Sequence, residues 1–129
     1  MAAKKVKANY VDGYVIPLQK KNVNIYRRMA KIGCKFWMKH GAVSYTETII
    51  EDAQSKFGMP FGKLLKLKKG EVAVFSYIEF KSRRHRDSVN AKVMKDMASD
   101  KSMEKMMKGP MPFDMKKMCY GGFKIIVNA

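Results

Sequence analysis

Glu47 is the residue whose type and setting most readily support chemistry in this chain. In the run VSYTETII it shares one face of an extended segment with Val43, Tyr45 and Ile49, because side chains alternate along a strand. A carboxylate among such neighbours binds its proton more tightly than in water and can act as a general base. The alternative is a place at a sheet edge in water, or opposite an arginine, since structural ion pairs perturb titration too. His85, in the first turn of a helix, is the second catalytic candidate. Asp87 cannot face it, because helix positions two apart diverge. A partner would come from across the fold, from Glu47 or Tyr120. The competing reading is a helix-start histidine bonded to backbone or water. Asp12, Tyr14 and Tyr120 are candidate ligand-binding residues, each near a glycine that opens space. A tyrosine in a buried sheet otherwise packs its ring and satisfies one hydroxyl.

The elements that must hold these residues follow from periodicity. Residues 10–16, YVDGYVI before Pro17, read as a first strand interrupted by Asp12 and Gly13. From about 22 to 40, Ile25, Met29, Ile32 and Phe36, with Tyr26, Ala30, Gly33 and Trp37 on the adjoining row, recur at helical spacing. Asn22 is the expected N-cap and Gly41 the expected residue just past the C-terminus. Residues 43–50 form a second strand, and 51–69, with Gly58, Pro60 and Gly62, a long loop with at most a short turn. The run EVAVFSYIEFK is the clearest strand: Val72, Val74, Ile78 and Phe80 face one way, Ala73, Phe75 and Tyr77 the other. Ser82 caps a second long helix reaching about Ala98, with Val89, Val93 and Met97 on one row. A short third helix over about 101–108 ends at Gly109 and Pro110. From Met118 a closing strand carries apolar residues on both faces, and Gly121 and Gly122 in it mark a bulge or a close approach.

The order β-α-β-β-α-(α)-β is that of a ferredoxin-like α+β domain: a four-stranded antiparallel sheet with helices on one face. Two strands carry large apolar residues on both faces, so the uncovered face needs a partner. A homodimer packed sheet to sheet supplies it. The domain is expected over residues 10–129, after a flexible basic extension at 1–9.

Composition limits the remaining possibilities. At 129 residues the chain fits one domain, and no apolar run approaches bilayer length. The basic start lacks the apolar stretch of a secretory signal, which leaves the cytoplasm as the default compartment. Cys34 and Cys119 give no disulfide framework and no metal-ligand spacing, and no nucleotide-binding loop is present, so neither metal nor cofactor is expected. The 12 methionines read as adaptable packing. A formal charge of +16 would draw nucleic acid at low salt. The lysines are scattered, however, and the tightest cluster is Lys81, Arg83, Arg84, His85 and Arg86, so a solvated basic surface is the competing reading. No RNP-type aromatic motif or GXXG loop supports RNA recognition.

Three separated segments, YVDGYVIP at 10–17, KSRRHRDSVNAKVMKD at 81–96 and MPFDMKKMCYGGF at 111–123, resemble the YbaA-like family of bacterial proteins, whose domain has no assigned function. The chain departs from that pattern at Met115 and Lys117. The resemblance implies membership of the dimeric α+β barrel group, whose ferredoxin-like subunits pair through their sheets. By analogy with that group it implies a small-molecule pocket between sheet and helices, with catalysis as one use of it. A nucleic-acid-associated protein and a purely structural dimer remain the alternatives.

Overall fold

A computed structural model describes residues 6–129. The first five residues of the expected N-terminal extension lie outside that range. Four strands, β1 (Tyr10–Gln19), β2 (Ser44–Ile49), β3 (Glu71–Phe80) and β4 (Cys119–Lys124), form one open antiparallel sheet in the order β2-β3-β1-β4. Four helices accompany them: α1 (Val23–Lys39), the single turn α2 (Phe61–Leu64), α3 (Arg83–Ser99) and α4 (Lys101–Met107). The architecture is α+β.

Register decides which side chains meet the helices. Tyr10, Asp12, Tyr14, Ile16 and Leu18 of β1 stand opposite Phe80, Ile78, Ser76, Val74 and Val72 of β3, and this face carries the core. One buried cluster joins Phe36, Ile78, Phe80, Val89, Val93 and Met103. A second joins Ile16, Leu18, Tyr26, Ala30 and Val74, and Tyr14 packs against both. The opposite face presents Val11, Val15, Phe75, Tyr77 and Phe123, with Phe75 47% and Phe123 59% exposed.

The termini of the elements follow local chemistry. The Ser82 hydroxyl accepts from the His85 N–H at 3.0 Å, as an N-cap should. Asp100 caps α4 through the N–H groups of Ser102 and Met103. Gly41 follows α1 with φ +100, a conformation that costs glycine nothing. Asn22 holds the N-cap position of α1, but its side chain makes no capping bond there. A 3-10 turn (Lys20–Asn22) leads into the helix, and the Asn22 amide instead donates to the Pro112 carbonyl at 3.2 Å.

Strand β1 runs past Pro17, three residues beyond the expected end. Pro17 lies after the last pairing with β4, Val15 opposite Cys119, so its missing N–H costs that ladder nothing. At the other end, the Asn9 N–H donates to the Phe80 carbonyl and the Asn9 carbonyl accepts from Ile125. Strand β4 is not buried on both faces. It is the sheet edge, ends at Lys124, and leaves Ile126 and Val127 exposed. Its glycines form no bulge, since the register with β1 is continuous. Gly122 serves close approach instead: a Cβ there would run into the Tyr10 ring.

Candidate functional site

Two carboxylates stand on the helix-facing side of the sheet, in different surroundings. Asp12 is fully buried on the central strand β1. Arg86 and Asn90 are one helical turn apart on α3, and both point at it. Arg86 Nη1 donates to Asp12 Oδ1 at 3.2 Å, and Asn90 Nδ2 donates to Oδ2 at 3.4 Å. The same Nη1 donates to the Tyr120 hydroxyl at 2.6 Å, and Nη2 reaches the Tyr10 hydroxyl at 3.4 Å. The guanidinium also lies over the Tyr10 ring, 5.2 Å from its centroid. Trp37 Nε1 donates to Asn90 Oδ1 at 3.0 Å, which extends the network to α1. Arg86 Nε lies 2.9 Å from Asp87 Oδ1, within ion-pair range, yet makes no hydrogen bond. Burial pushes the Asp12 carboxyl above its ordinary range, while Asn90 and Arg86 pull it back.

Glu47 occupies β2, the other sheet edge, opposite Ser76 of β3. Its Oε1 accepts from the Tyr26 hydroxyl at 2.6 Å and its Oε2 from the Tyr45 hydroxyl at 2.7 Å. Tyr26 comes from α1. Tyr45 reaches its place because Gly33 leaves room on the helix, where an added Cβ would stand 3.1 Å from the Tyr45 hydroxyl. A glycine inside a helix costs about 1 kcal/mol relative to alanine, so the space has an energetic cost. Burial, reinforced by Glu47, pushes both tyrosines well above their ordinary range, and they remain protonated donors.

This carboxylate faces a cavity of about 260 Å³ between the sheet, α1, α3, α4 and the segment from Met111 to Met118. Its walls include Tyr14, Ile16, Trp37, Ile78 and Phe113, together with seven methionines: Met29, Met97, Met103, Met107, Met111, Met115 and Met118. Met107, Met111 and Met115 are exposed and form its rim. The space lies between the two buried clusters, where unbranched thioether side chains adapt to an irregular boundary. Tyr14 lines the cavity, and its hydroxyl has no hydrogen-bond partner among the described residues. Burial, with Asp12 next in effect, pushes that hydroxyl well above its ordinary range, so it is a protonated group free to bond a ligand. A second cavity of about 320 Å³ lies between α1 and β2, lined by Arg27, Lys31 and Cys34, and shares Tyr26, Ala30, Tyr45 and Glu47 with the first.

The five residues singled out from the sequence therefore divide. Glu47 and Tyr14 share the first, methionine-walled cavity. Tyr120 stacks on Tyr14, ring centroids 4.9 Å apart, and joins it to the Asp12 network. His85 is not brought to Glu47, and lines neither cavity. Its Nδ1 accepts from the Lys81 N–H at 3.0 Å and its ring meets Phe80 edge-on. Burial, then Lys81 and Lys92, lowers its pKa, so a neutral ring with Nδ1 as acceptor fits that bond. Arg86, Asn90 and Tyr26 were missed, though the i, i+4 spacing of Arg86 and Asn90 beside the Val89 and Val93 row marked one inward face. Among the described residues no three His, Cys, Asp or Glu side chains gather as metal ligands, and no helix is long and apolar enough to cross a membrane.

Fold and site thus define a small α+β protein with one sheet and an apolar cavity under its helices. The chain belongs to the family described as "Protein of unknown function (DUF1428)", whose model matches residues 9–115. It is 34% identical over 119 residues to "Uncharacterized protein YbaA" of Escherichia coli (strain K12), covering 92% of this chain and 97% of that relative. The same figures hold for "Uncharacterized protein YbaA" of Shigella flexneri.

Proposed function

We propose that this protein binds a small, largely apolar molecule in the cavity between its sheet and helices, as a cytoplasmic homodimer of ferredoxin-like subunits of the dimeric α+β barrel kind. The observation that carries the reading is the cavity itself: about 260 Å³, walled by methionines and aromatic rings, with Glu47 and the Tyr14 hydroxyl as polar groups. Apolar sites with a few placed polar groups are what small-molecule binding uses. Glu47 is the residue for acid–base chemistry, and Tyr14 the group that touches the ligand. Asp12 and Tyr120 act through Tyr14 by fixing its ring. His85 is outside this reading, because its ring nitrogen is engaged at the start of α3. The sheet order β2-β3-β1-β4 and the two long helices on one face support the ferredoxin-like assignment. The exposed aromatics Phe75 and Phe123 on the opposite face support sheet-to-sheet pairing.

Native mass spectrometry of gently purified protein tests assembly, and titration with the neutral dye N-phenyl-1-naphthylamine tests the cavity. The expected result is a dimer mass with saturable dye uptake. A Phe75→Glu, Phe123→Glu double variant should be monomeric and still take up dye. A monomeric parent protein would overturn the dimer, and the absence of saturable uptake would overturn the cavity reading.

A further inference from the structure

The cavity carries formal charge of one sign only. Among the described residues, Glu47 is the sole acidic or basic side chain of its lining, in a chain with 27 Lys and Arg against 11 Asp and Glu. Asp12, Asp87, Asp96 and Glu104 each lie within 3.5 Å of a basic group. Glu47 has no such partner among the described residues, and neither do Glu51, Asp52, Glu71, Glu79, Asp100 and Asp114, but of these seven only Glu47 lines this cavity. Arg27 and Lys31 line the second cavity behind it, and neither pairs with it. The two tyrosine hydroxyls give each of its oxygens one hydrogen bond but bring no positive charge. A partly buried carboxylate in that state favours a cation beside it. Tyr14, Tyr26, Trp37, Tyr45 and Phe113 line the same space, and aromatic faces attract cations as well.

The geometry points to a lipophilic ammonium ion as the ligand: an amine, protonated at neutral pH, on an alkyl or aryl body. The positive head lies beside Glu47 among the rings, and the apolar body runs along the methionine walls towards the rim. This rests on the cavity being a small-molecule site, and the test separates the two statements.

The probes are decylamine, decanol and decanoate, which share one apolar body and differ in head-group charge, each used below its aggregation concentration. Each displaces N-phenyl-1-naphthylamine from the unaltered protein. Decylamine should displace the dye at concentrations at least about tenfold lower than decanol, a difference of about 1.4 kcal/mol, with decanoate the weakest. Glu47→Gln should remove most of that preference, weakening decylamine more than decanol. Equal displacement by all three probes, or a preference for decanoate, overturns the ammonium assignment while the cavity reading stands. Failure of the dye and all three probes to bind overturns both. The ranking on unaltered protein decides the matter even if Glu47→Gln does not fold, and an unaltered decylamine preference in a folded Glu47→Gln variant also overturns the role of Glu47.

Discussion

Asp12 and Glu47 lie on the same face of one sheet, yet the chain treats them differently. Asp12 sits on a central strand with no exposed surface, and the chain supplies its counter-charge, Arg86, and a second donor, Asn90. Glu47 sits on an edge strand against a cavity, and the chain supplies two neutral hydroxyls and no cation. The first arrangement is closed: it ties β1, α3 and β4 together and leaves no room beside the carboxylate. The second has its hydrogen bonds but not its charge balance. A buried ion pair is costly to break and contributes modestly when intact, whereas a carboxylate left without a cation beside open space can still bind one. The contrast makes Asp12 part of the scaffold and supports the proposal that Glu47 belongs to a ligand site.

The strongest way to break this contrast is Asp12→Ala. It strands the Arg86 guanidinium, 14% exposed, without its partner, and unfolding free energy in urea should fall by about 3–5 kcal/mol. A loss below about 1 kcal/mol would mean that the network is not a clamp. Next in size is Gly122→Ala, which drives a methyl group into the Tyr10 ring beneath Arg86. Overpacking of this kind costs about 1–3 kcal/mol, read as a lowered urea midpoint. Glu47→Gln keeps an acceptor for one tyrosine and exchanges the other bond, so its stability change should stay near 1 kcal/mol. A loss as large as that of Asp12→Ala would make Glu47 a scaffold residue too.

The smallest effects are in pH dependence, where the acids differ in sign. Burial raises the Asp12 carboxyl above its unfolded value, so folding takes up a proton between the two. Its contribution to stability grows as pH falls through the folded value, and is complete below the unfolded one. Asp96 is the reverse: hydrogen bonds from Lys39 and then His40 hold it below its ordinary range. Its contribution is present above the unfolded value and is lost as pH falls through the folded one. Urea midpoints across acid pH should therefore show Asp96→Asn converging on the parent protein as pH drops. A gap that widened in acid would contradict the assignment.

Periodicity in the sequence determined most of the fold. The two faces of β3, the rows of α1 and α3, the Ser82 cap and the αL turn at Gly41 are local consequences of side-chain alternation, helical spacing and backbone freedom, and each was legible before any coordinates. Glu47, Tyr14, Asp12 and Tyr120 were legible as unusual residues in otherwise apolar strands. Their partners were not. Arg86 lies 74 positions from Asp12 and 34 from Tyr120, and in the sequence it is one member of a basic cluster with Arg83 and Arg84, set apart only by its spacing to Asn90 beside the Val89 and Val93 row. Tyr26 read as one more core residue on a helix row, and its hydroxyl gained a role only where α1 crosses β2. The closing strand shows the converse: its apolar pattern was plain, but position at the sheet edge left it exposed within one chain. Sequence pattern sets which face a side chain takes, because that depends on a few neighbouring dihedrals. Which distant groups share that face, and which carboxylate finds a cation, depends on how strands order and helices cross, and only the tertiary structure decided it.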